Sequence, residues 1–435
     1  MFETYEQAID WIHARLRLGM KPGLSRMEWM LERLDHPERR IKTIHVGGTN
    51  GKGSTVTFLR SILQTAGYRV GTFTSPYFEQ FNERISINGN PVSDKELVEM
   101  TNVIKPLADE LDRSELGGPT EFEVITAMSI YYFAKMSPVD VVIYEVGLGG
   151  RFDSTNVIHP LLSIITSIGL DHTAILGDTY EQIAFEKAGI IKNGVSVITG
   201  VKQPAALDVI QKKALEGKSP IYQLDKDFLT GSREAVPHGE RFAFTSMFGN
   251  YMNLETSMLG SHQVDNAACA VMAAQVLANY YSFMIEESDV REGLKLAYWP
   301  GRLEILSEAP YVLIDGAHNE EGINALASEI KSRYADKRIT ILFAALKDKK
   351  LDKMIATLED VADQLVFTSF DFPRAASAEE LHAAANISNV KIAPNYKEFL
   401  CDKITDLKSG EIFIVTGSLY FLSEAKPVMV SLLNN

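Results

Sequence analysis

Apolar, β-branched runs recur along this chain, each set off from the next by enough residues for a helix. "IKTIHVGG" (41–48), "VDVVIYEVG" (139–147) and "LLSIITSI" (161–168) come first, followed by "YVLIDGA" (311–317), "RITILFAAL" (338–346), "QLVFTSF" (364–370) and "EIFIVTGS" (411–418). A strand that reads apolar throughout, with no polar alternation, is buried on both faces, as in a parallel sheet covered by helices. The pattern predicts an α/β protein built from βαβ units. At 435 residues the chain exceeds one ordinary core. In "AYWPGRLEIL" (297–306) a long apolar helical stretch gives way to Pro300-Gly301, which stops regular structure. Two domains are expected, 1–297 and 298–435.

Charge narrows the function. Lys plus Arg number 43 against 57 for Asp plus Glu, a net charge of −14. A general nucleic-acid binder needs a basic surface, so that class is set aside, whereas a small anionic substrate needs only a few local cations. No uncharged apolar run is long enough for a bilayer. The opening "MFETYEQAIDWIHARL" carries acids and reads as a helix of the fold, without the apolar core of a signal peptide. Cys269 and Cys401 show no metal spacing. The expectation is a reduced, cytoplasmic protein with no membrane partner.

"HVGGTNGKGST" (45–55) nearly spells a phosphate-binding loop. The common pattern wants a Gly where Val46 stands, and a Ser or Thr directly after Lys52, where Gly53 stands. The context is nonetheless right. A strand ends at Val46, a Gly- and Asn-rich turn follows, and "STVTFLRSILQTAG" puts Val56, Leu59 and Leu63 on one helical face. Such a turn aims backbone amides and a helix N-terminus at an anion, lets Lys52 reach outer phosphates, and brings Ser54 or Thr55 toward a metal. A glycine-rich βα turn with no ligand is the competing reading.

Other stretches are ambiguous alone. Ser75 of "TSPYFEQFNERISING" precedes a proline and is held extended, or it is an ordinary loop residue. Glu145 ends an apolar strand at the carboxyl edge, where a carboxylate is costly without a cation; it reads as a Mg²⁺ ligand or as a solvated strand-end acid. His172 follows the next strand on the same edge, and alone it reads by default as a structural histidine. "TYEQIAFEKAGIIK" opens with a Thr-x-x-Gln capping box, on which Lys187 reads as a solvated lysine.

Taken in order, "GTNGKGS", the Thr-Ser-Pro segment, "YEVGLGGRFDSTN", "EKAGI", "PGRLE" and "LIDGAHNEEG" resemble the folylpolyglutamate synthase and dihydrofolate synthase family of the Mur ligase superfamily. The resemblance runs from about residue 20 to 420. It implies a P-loop, parallel-sheet ATPase domain followed by a smaller Rossmann-like α/β domain on the glutamate side. It implies ATP binding by Thr49, Asn50, Gly51, Lys52, Gly53 and Ser54, an adenine contact at Asn266, and phosphate and ribose contacts from Arg302, Asp315 and His318 of the second domain. Ser75, Glu145 and His172 would form a Mg²⁺ set completed by phosphate and water, with a monovalent cation as a further candidate. Lys187 would be carbamylated, and Lys52, Lys187 and His318 would make the catalytic set. Arg26, Phe122, Glu123, Asp153 and Ser154 would face the folate. "ALKDK", "DFPRA" and "TGSLYF" look like glutamate-side loops.

The implied reaction is ATP-dependent addition of L-glutamate to a reduced folate through an acyl phosphate. The "RFDSTN" spelling resembles members that also accept dihydropteroate. Two alternatives stay open. A Mur-type amino-acid ligase usually has an extra N-terminal domain, for which a loop starting by residue 48 leaves no room. A non-ligase P-loop ATPase leaves "HNEEG", "PGRLE" and "EKAGI" unexplained. No feature demands an oligomer, so a monomer is expected.

Overall fold

The structure is a computed structural model that describes residues 1–19, 21–386 and 390–434. The chain forms two compact units. One comprises Met1–Arg233, Phe242–Glu255 and Asp265–Ala297; the other comprises Glu234–Arg241, Thr256–Val264 and Tyr298–Asn435.

The first unit is built on a sheet of eight strands: β1 (Thr43–Gly47), β2 (Val70–Phe73), β3 (Ile85–Ile87), β4 (Asn90–Pro91), β5 (Val141–Glu145), β6 (Leu162–Ile165), β7 (Ser196–Thr199) and β8 (Ile221–Gln223). Their order is β4-β3-β2-β5-β1-β6-β7-β8. The pairs from β2 to β8 are parallel, and β3 and β4 add an antiparallel edge. β1, β5 and β6 are buried at every position, as continuous apolar runs require. The antiparallel edge escapes the sequence pattern because "ISINGNP" is short and its turn lies in a polar stretch.

β1 lies between β5 and β6, with Val46 opposite Glu145 and Gly47 opposite Ile165. The connection from β1 leads outward past β5 to β2, whereas β6 lies on the other side of β1. Such a reversal opens a crevice at the carboxyl ends of the strands, and the loop after β1 leads into it. The helix Lys52–Thr65 follows that loop and presents Val56, Phe58, Leu59, Ile62 and Leu63 to the core. The helix Glu287–Leu296 packs on it through Gly293, whose missing side chain leaves room for the backbone of Ile62.

Two apolar clusters cover the two faces. One joins Ile12, Met30, Phe73, Met128 and Tyr144; the other joins Val146, Ile165, Ile183, Ile190 and Ile210. Two short antiparallel pairings follow β8. In the first unit, β9 (Phe228–Thr230) pairs with residues 244–246 of one long strand. In the second, β10 (Glu234–Val236) pairs with residues 239–241 at the start of that strand, β11 (Gly239–Ser246).

The second unit holds a six-stranded sheet. After β12 (Gly249–Thr256), its strands are β13 (Glu304–Glu308), β14 (Tyr311–Asp315), β15 (Arg338–Ala344), β16 (Gln364–Phe367), β17 (Val390–Ile392) and β18 (Glu411–Gly417). The order is β13-β14-β18-β15-β16-β17, parallel except for the edge strand β13. Leu313, Ile330, Phe343, Leu358 and Phe367 are among its core residues. No described helix is long and apolar enough to cross a membrane.

Candidate active site

The loop after β1 is held from the side by the loop after β6. The Thr49 amide donates to the Ser167 carbonyl at 2.8 Å, and the Asn50 amide to the Ser167 hydroxyl at 2.9 Å. Thr166 returns a hydroxyl to the Asn50 carbonyl at 2.6 Å. Gly48 has φ +147°, and a Cβ there would collide with the Thr166 hydroxyl. Gly51, φ +85°, is the N-cap of the helix Lys52–Thr65, and its bare α-carbon lies against the Asn266 carboxamide. Both positions therefore need glycine, for crowding and for conformation alike. The first-turn amides of Lys52, Gly53 and Ser54 point out of the helix end, where they and the helix dipole favour an anion. Ser54 is buried. The Thr55 hydroxyl is buried in the same turn with no hydrogen-bond partner, an orphaned polar atom beside the loop.

Two lysines meet on this loop. Lys52 Nζ donates to the carbonyls of Gly48 and Thr49, each at 3.1 Å. Lys187 Nζ donates to the Gly48 carbonyl at 2.9 Å. The reading of Lys187 as a solvated residue is overturned, because it is only 5% exposed. Burial, and then the positive charge of Lys52, pull its pKa down to about 7, against a partial upward pull from Asp171 and Asp153. Its helix, Tyr180–Ala188, begins with the expected capping box between Thr179 and Gln182. The turn after β5 clamps the other end. A Cβ on Gly150 would sit 2.8 Å from the carbonyls of both Glu186 and Lys187, and Gly189 is crowded by the backbone of Arg151. The Arg151 amide donates to the Glu186 carbonyl at 2.8 Å. Backbone packs on backbone here, so the glycines of "GLGGR" and "KAG" fix where Lys187 points.

Of the expected metal set, two members are brought together. The Ser75 amide donates to the buried Glu145 carboxylate at 3.4 Å. His172, φ +52°, is exposed and caps the short helix Thr173–Leu176 after β6, two strands from β5 in the same sheet. Among the described residues no group of three His, Cys, Asp or Glu stands together as a metal site. A serine and a buried carboxylate at or just beyond the carboxyl ends of β2 and β5 are residue types that suit a hard cation whose remaining ligands come from phosphate and water.

The residues expected to face the folate lie on helix starts and one tight turn. Arg26, in the helix Ser25–Arg33, pairs with Glu123 at 2.9 Å and also donates to the Lys21 carbonyl. Glu123 closes a capping box with Thr120. Phe122 is half-buried, with Phe73 at 5.7 Å on one side and the bare α-carbon of Gly147 on the other. Asp153 is buried and accepts from the Leu148 amide at 2.9 Å and from the Thr155 amide and hydroxyl, shaping the turn in which Ser154 starts a short 3₁₀ helix. Thr155 in turn bonds His45 of β1 at 2.8 Å. Burial pushes the Asp153 carboxyl up, while the hydrogen bonds from Thr155 and Leu148 oppose that shift.

Within the second unit, Arg302, Asp315 and His318 gather at the end of β14. Asp315 accepts from the amides of Leu303 at 2.8 Å and Ala317 at 2.9 Å. Its carboxyl is pushed up by burial and pulled back by Arg302. His318 Nδ1 bonds the Gly316 carbonyl at 2.8 Å. The loops after β15, β16 and β18 are tied together: Lys347 N donates to Arg374 O and Ser418 N to Ala344 O, both at 2.9 Å. Phe372 stacks on Tyr420 with centroids 4.4 Å apart.

Thr166 and Ser167 were not singled out from the sequence. The available signal was a Thr-Ser pair leaving a buried strand. Nothing local marks the Arg151–Glu186 pair, at 2.7 Å, as tying two motifs together.

Comparison with known proteins agrees along the length of the chain. The Mur ligase middle domain matches residues 46–274, and the Mur ligase glutamate ligase domain matches residues 301–419. The dihydrofolate synthase/folylpolyglutamate synthase of Bacillus subtilis (strain 168) is 50% identical over 428 residues, 98% of this chain and 99% of that protein. Folylpolyglutamate synthase of Mycobacterium tuberculosis complexed with ADP superposes with a TM-score of 0.90 at 31% identity, covering 98% of both chains. A solved FPGS–AMPPCP–folate complex gives 0.83 at 33% identity, over 98% of this chain and 99% of that one.

Proposed function

The chain belongs to the dihydrofolate synthase/folylpolyglutamate synthase family of Mur ligases, ATP-dependent enzymes that join glutamate to folates, and from that membership we propose how its residues divide the work. The observation that carries the proposal is the meeting of Lys52 and the buried Lys187 on the Gly48 carbonyl, inside a glycine loop at a helix N-terminus.

ATP phosphates lie along the loop Thr49–Ser54, with Lys52 on the outer phosphates and Asn266, beside Gly51, at the adenine. Arg302, Asp315 and His318 are read as nucleotide-handling residues, and the loops at 345–349, 371–375 and 416–421 as glutamate-side loops. Ser75, Glu145 and His172 would hold Mg²⁺, which when bound neutralises phosphate charge; a monovalent cation is a further candidate. Arg26, Phe122, Glu123, Asp153 and Ser154 serve the acceptor acid, a reduced folate or dihydropteroate.

An oxygen of the acceptor carboxylate attacks the γ-phosphorus of ATP and ADP leaves. The glutamate amine then attacks the acyl carbon, phosphate departs, and the amine loses a proton as the amide forms. Both steps need positioning and charge neutralisation more than covalent help from the protein. Lys187, with its pKa drawn to about 7, holds a substantial neutral fraction at physiological pH. A neutral amine can add CO₂ and lose a proton to give a carbamate. That converts a cation beside Lys52 into an anion and relieves the repulsion between the two amines.

The test is product mass with ATP, Mg²⁺ and glutamate, offering dihydropteroate and a reduced monoglutamyl folate separately. A gain of one glutamate on both supports the bifunctional reading. A gain on the folate alone removes dihydropteroate as a substrate. No gain on either, with ATP binding intact, removes the folate assignment.

A further inference from the structure

The loop after β7 and the helix Ser261–Tyr281 meet at a point the reaction does not directly use. Gly200 fills a space with no room for a side chain: a Cβ there would be 2.7 Å from the Thr166 carbonyl and 3.1 Å from Cys269 Sγ. Thr166 is the residue whose hydroxyl holds the Asn50 carbonyl of the nucleotide loop. Cys269 lies one turn beyond Asp265 on the same helix face. Two residues after Gly200, Lys202 Nζ pairs with Asp265 at 2.8 Å and with Asp225 at 3.7 Å. These carboxylates raise the Lys202 pKa over the opposing effect of burial, and Arg233 adds a further positive charge facing Asp265. Asp265 directly precedes Asn266, whose carboxamide covers Gly51.

We propose that Lys202 is a positioning residue for nucleotide binding: by pairing with Asp265 it fixes the Asp265–Asn266 stretch of the helix beside the loop after β7, so that Asn266 stands over Gly51. The proposal rests on the reading of Asn266 as the adenine-side residue. The ion pairs of Lys202 are with Asp265 and Asp225 and not with the loop after β1, so its effect is on ATP affinity and not on the chemical step.

The experiment is steady-state kinetics on the full chain for Lys202→Met, Lys202→Arg and Asn266→Ala, with thermal midpoints for each. Lys202→Met is expected to raise KM for ATP about fivefold, the scale of one partly exposed ion pair, while kcat and KM for the folate stay within about twofold. Lys202→Arg, which keeps the charge, is expected to restore KM. If Asn266→Ala raises KM for ATP and Lys202→Met leaves it unchanged, the positioning role is overturned and the adenine reading stands. If Asn266→Ala has no effect, the adenine reading fails and the proposal with it. A Lys202→Met variant that loses kcat and both substrate affinities together, with a lowered thermal midpoint, overturns the proposal in favour of a general structural role.

Discussion

The side-chain amines of Lys52 and Lys187 converge on one acceptor, the Gly48 carbonyl, at 3.1 and 2.9 Å. Residues 135 positions apart in sequence are thus joined through a single backbone oxygen. The joint sits at the loop proposed to hold the ATP phosphates.

Removing the buried amine separates its roles. Lys187→Met keeps the stem's volume and is expected to lower kcat by about a hundredfold or more, with a smaller change in KM for ATP. Stability should carry a second signature. The folded pKa of about 7 lies below the unfolded value of 10.5, so between those limits the unfolded chain binds the extra proton. Wild-type stability therefore rises relative to Lys187→Met from about pH 7 upward, and the difference is flat below. Urea midpoints across that range check it.

Gly48→Ala forces a side chain into the Thr166 hydroxyl at a φ that side chains avoid. We expect a loss of about 1–3 kcal/mol in stability and a rise of tenfold or more in KM for ATP, because Thr166 also holds Asn50. Thermal unfolding with and without ATP separates the two effects.

Glu145 is buried beside the Ser75 amide. Glu145→Gln keeps its shape and removes its charge. The Mg²⁺ concentration for half-maximal activity is expected to rise about tenfold or more, with nucleotide-free stability little changed. A Mg²⁺ titration at saturating ATP measures this.

His45 is fully buried in β1, and burial, then the charge of Lys192, lower its pKa from 6.5 to about 3. Between those values the unfolded chain binds the proton and the folded one does not, so stability falls as pH drops from about 6.5 to 3. The fall is on the order of 5 kcal/mol at its full extent. His45→Gln is expected to flatten that limb of the urea-midpoint profile.

The parallel sheets were legible because their strands are buried on both faces and therefore apolar at every position, as β1, β5 and β6 are. β3, β4 and the short pairings near residues 228–246 were not, because brief antiparallel strands with polar turns leave little periodicity. The turn between β1 and the helix Lys52–Thr65 could be read from its glycines, whose spacing reflects local backbone geometry. The burial of Lys187 could not, since a lysine on a helix reads as solvated until tertiary packing buries it, and only the family resemblance pointed to that residue. Thr166, Gly150 and Lys202 matter through contacts made across loops distant in sequence, which no local pattern carries.

In the proposed reaction the acceptor carboxylate is activated as an acyl phosphate on the Lys52 loop. Supplying the acceptor acid with ¹⁸O in the carboxyl group to be joined, together with unlabelled ATP and glutamate, tests it directly. One ¹⁸O is expected in the released phosphate for each amide bond formed. Unlabelled phosphate accompanying amide product would contradict it.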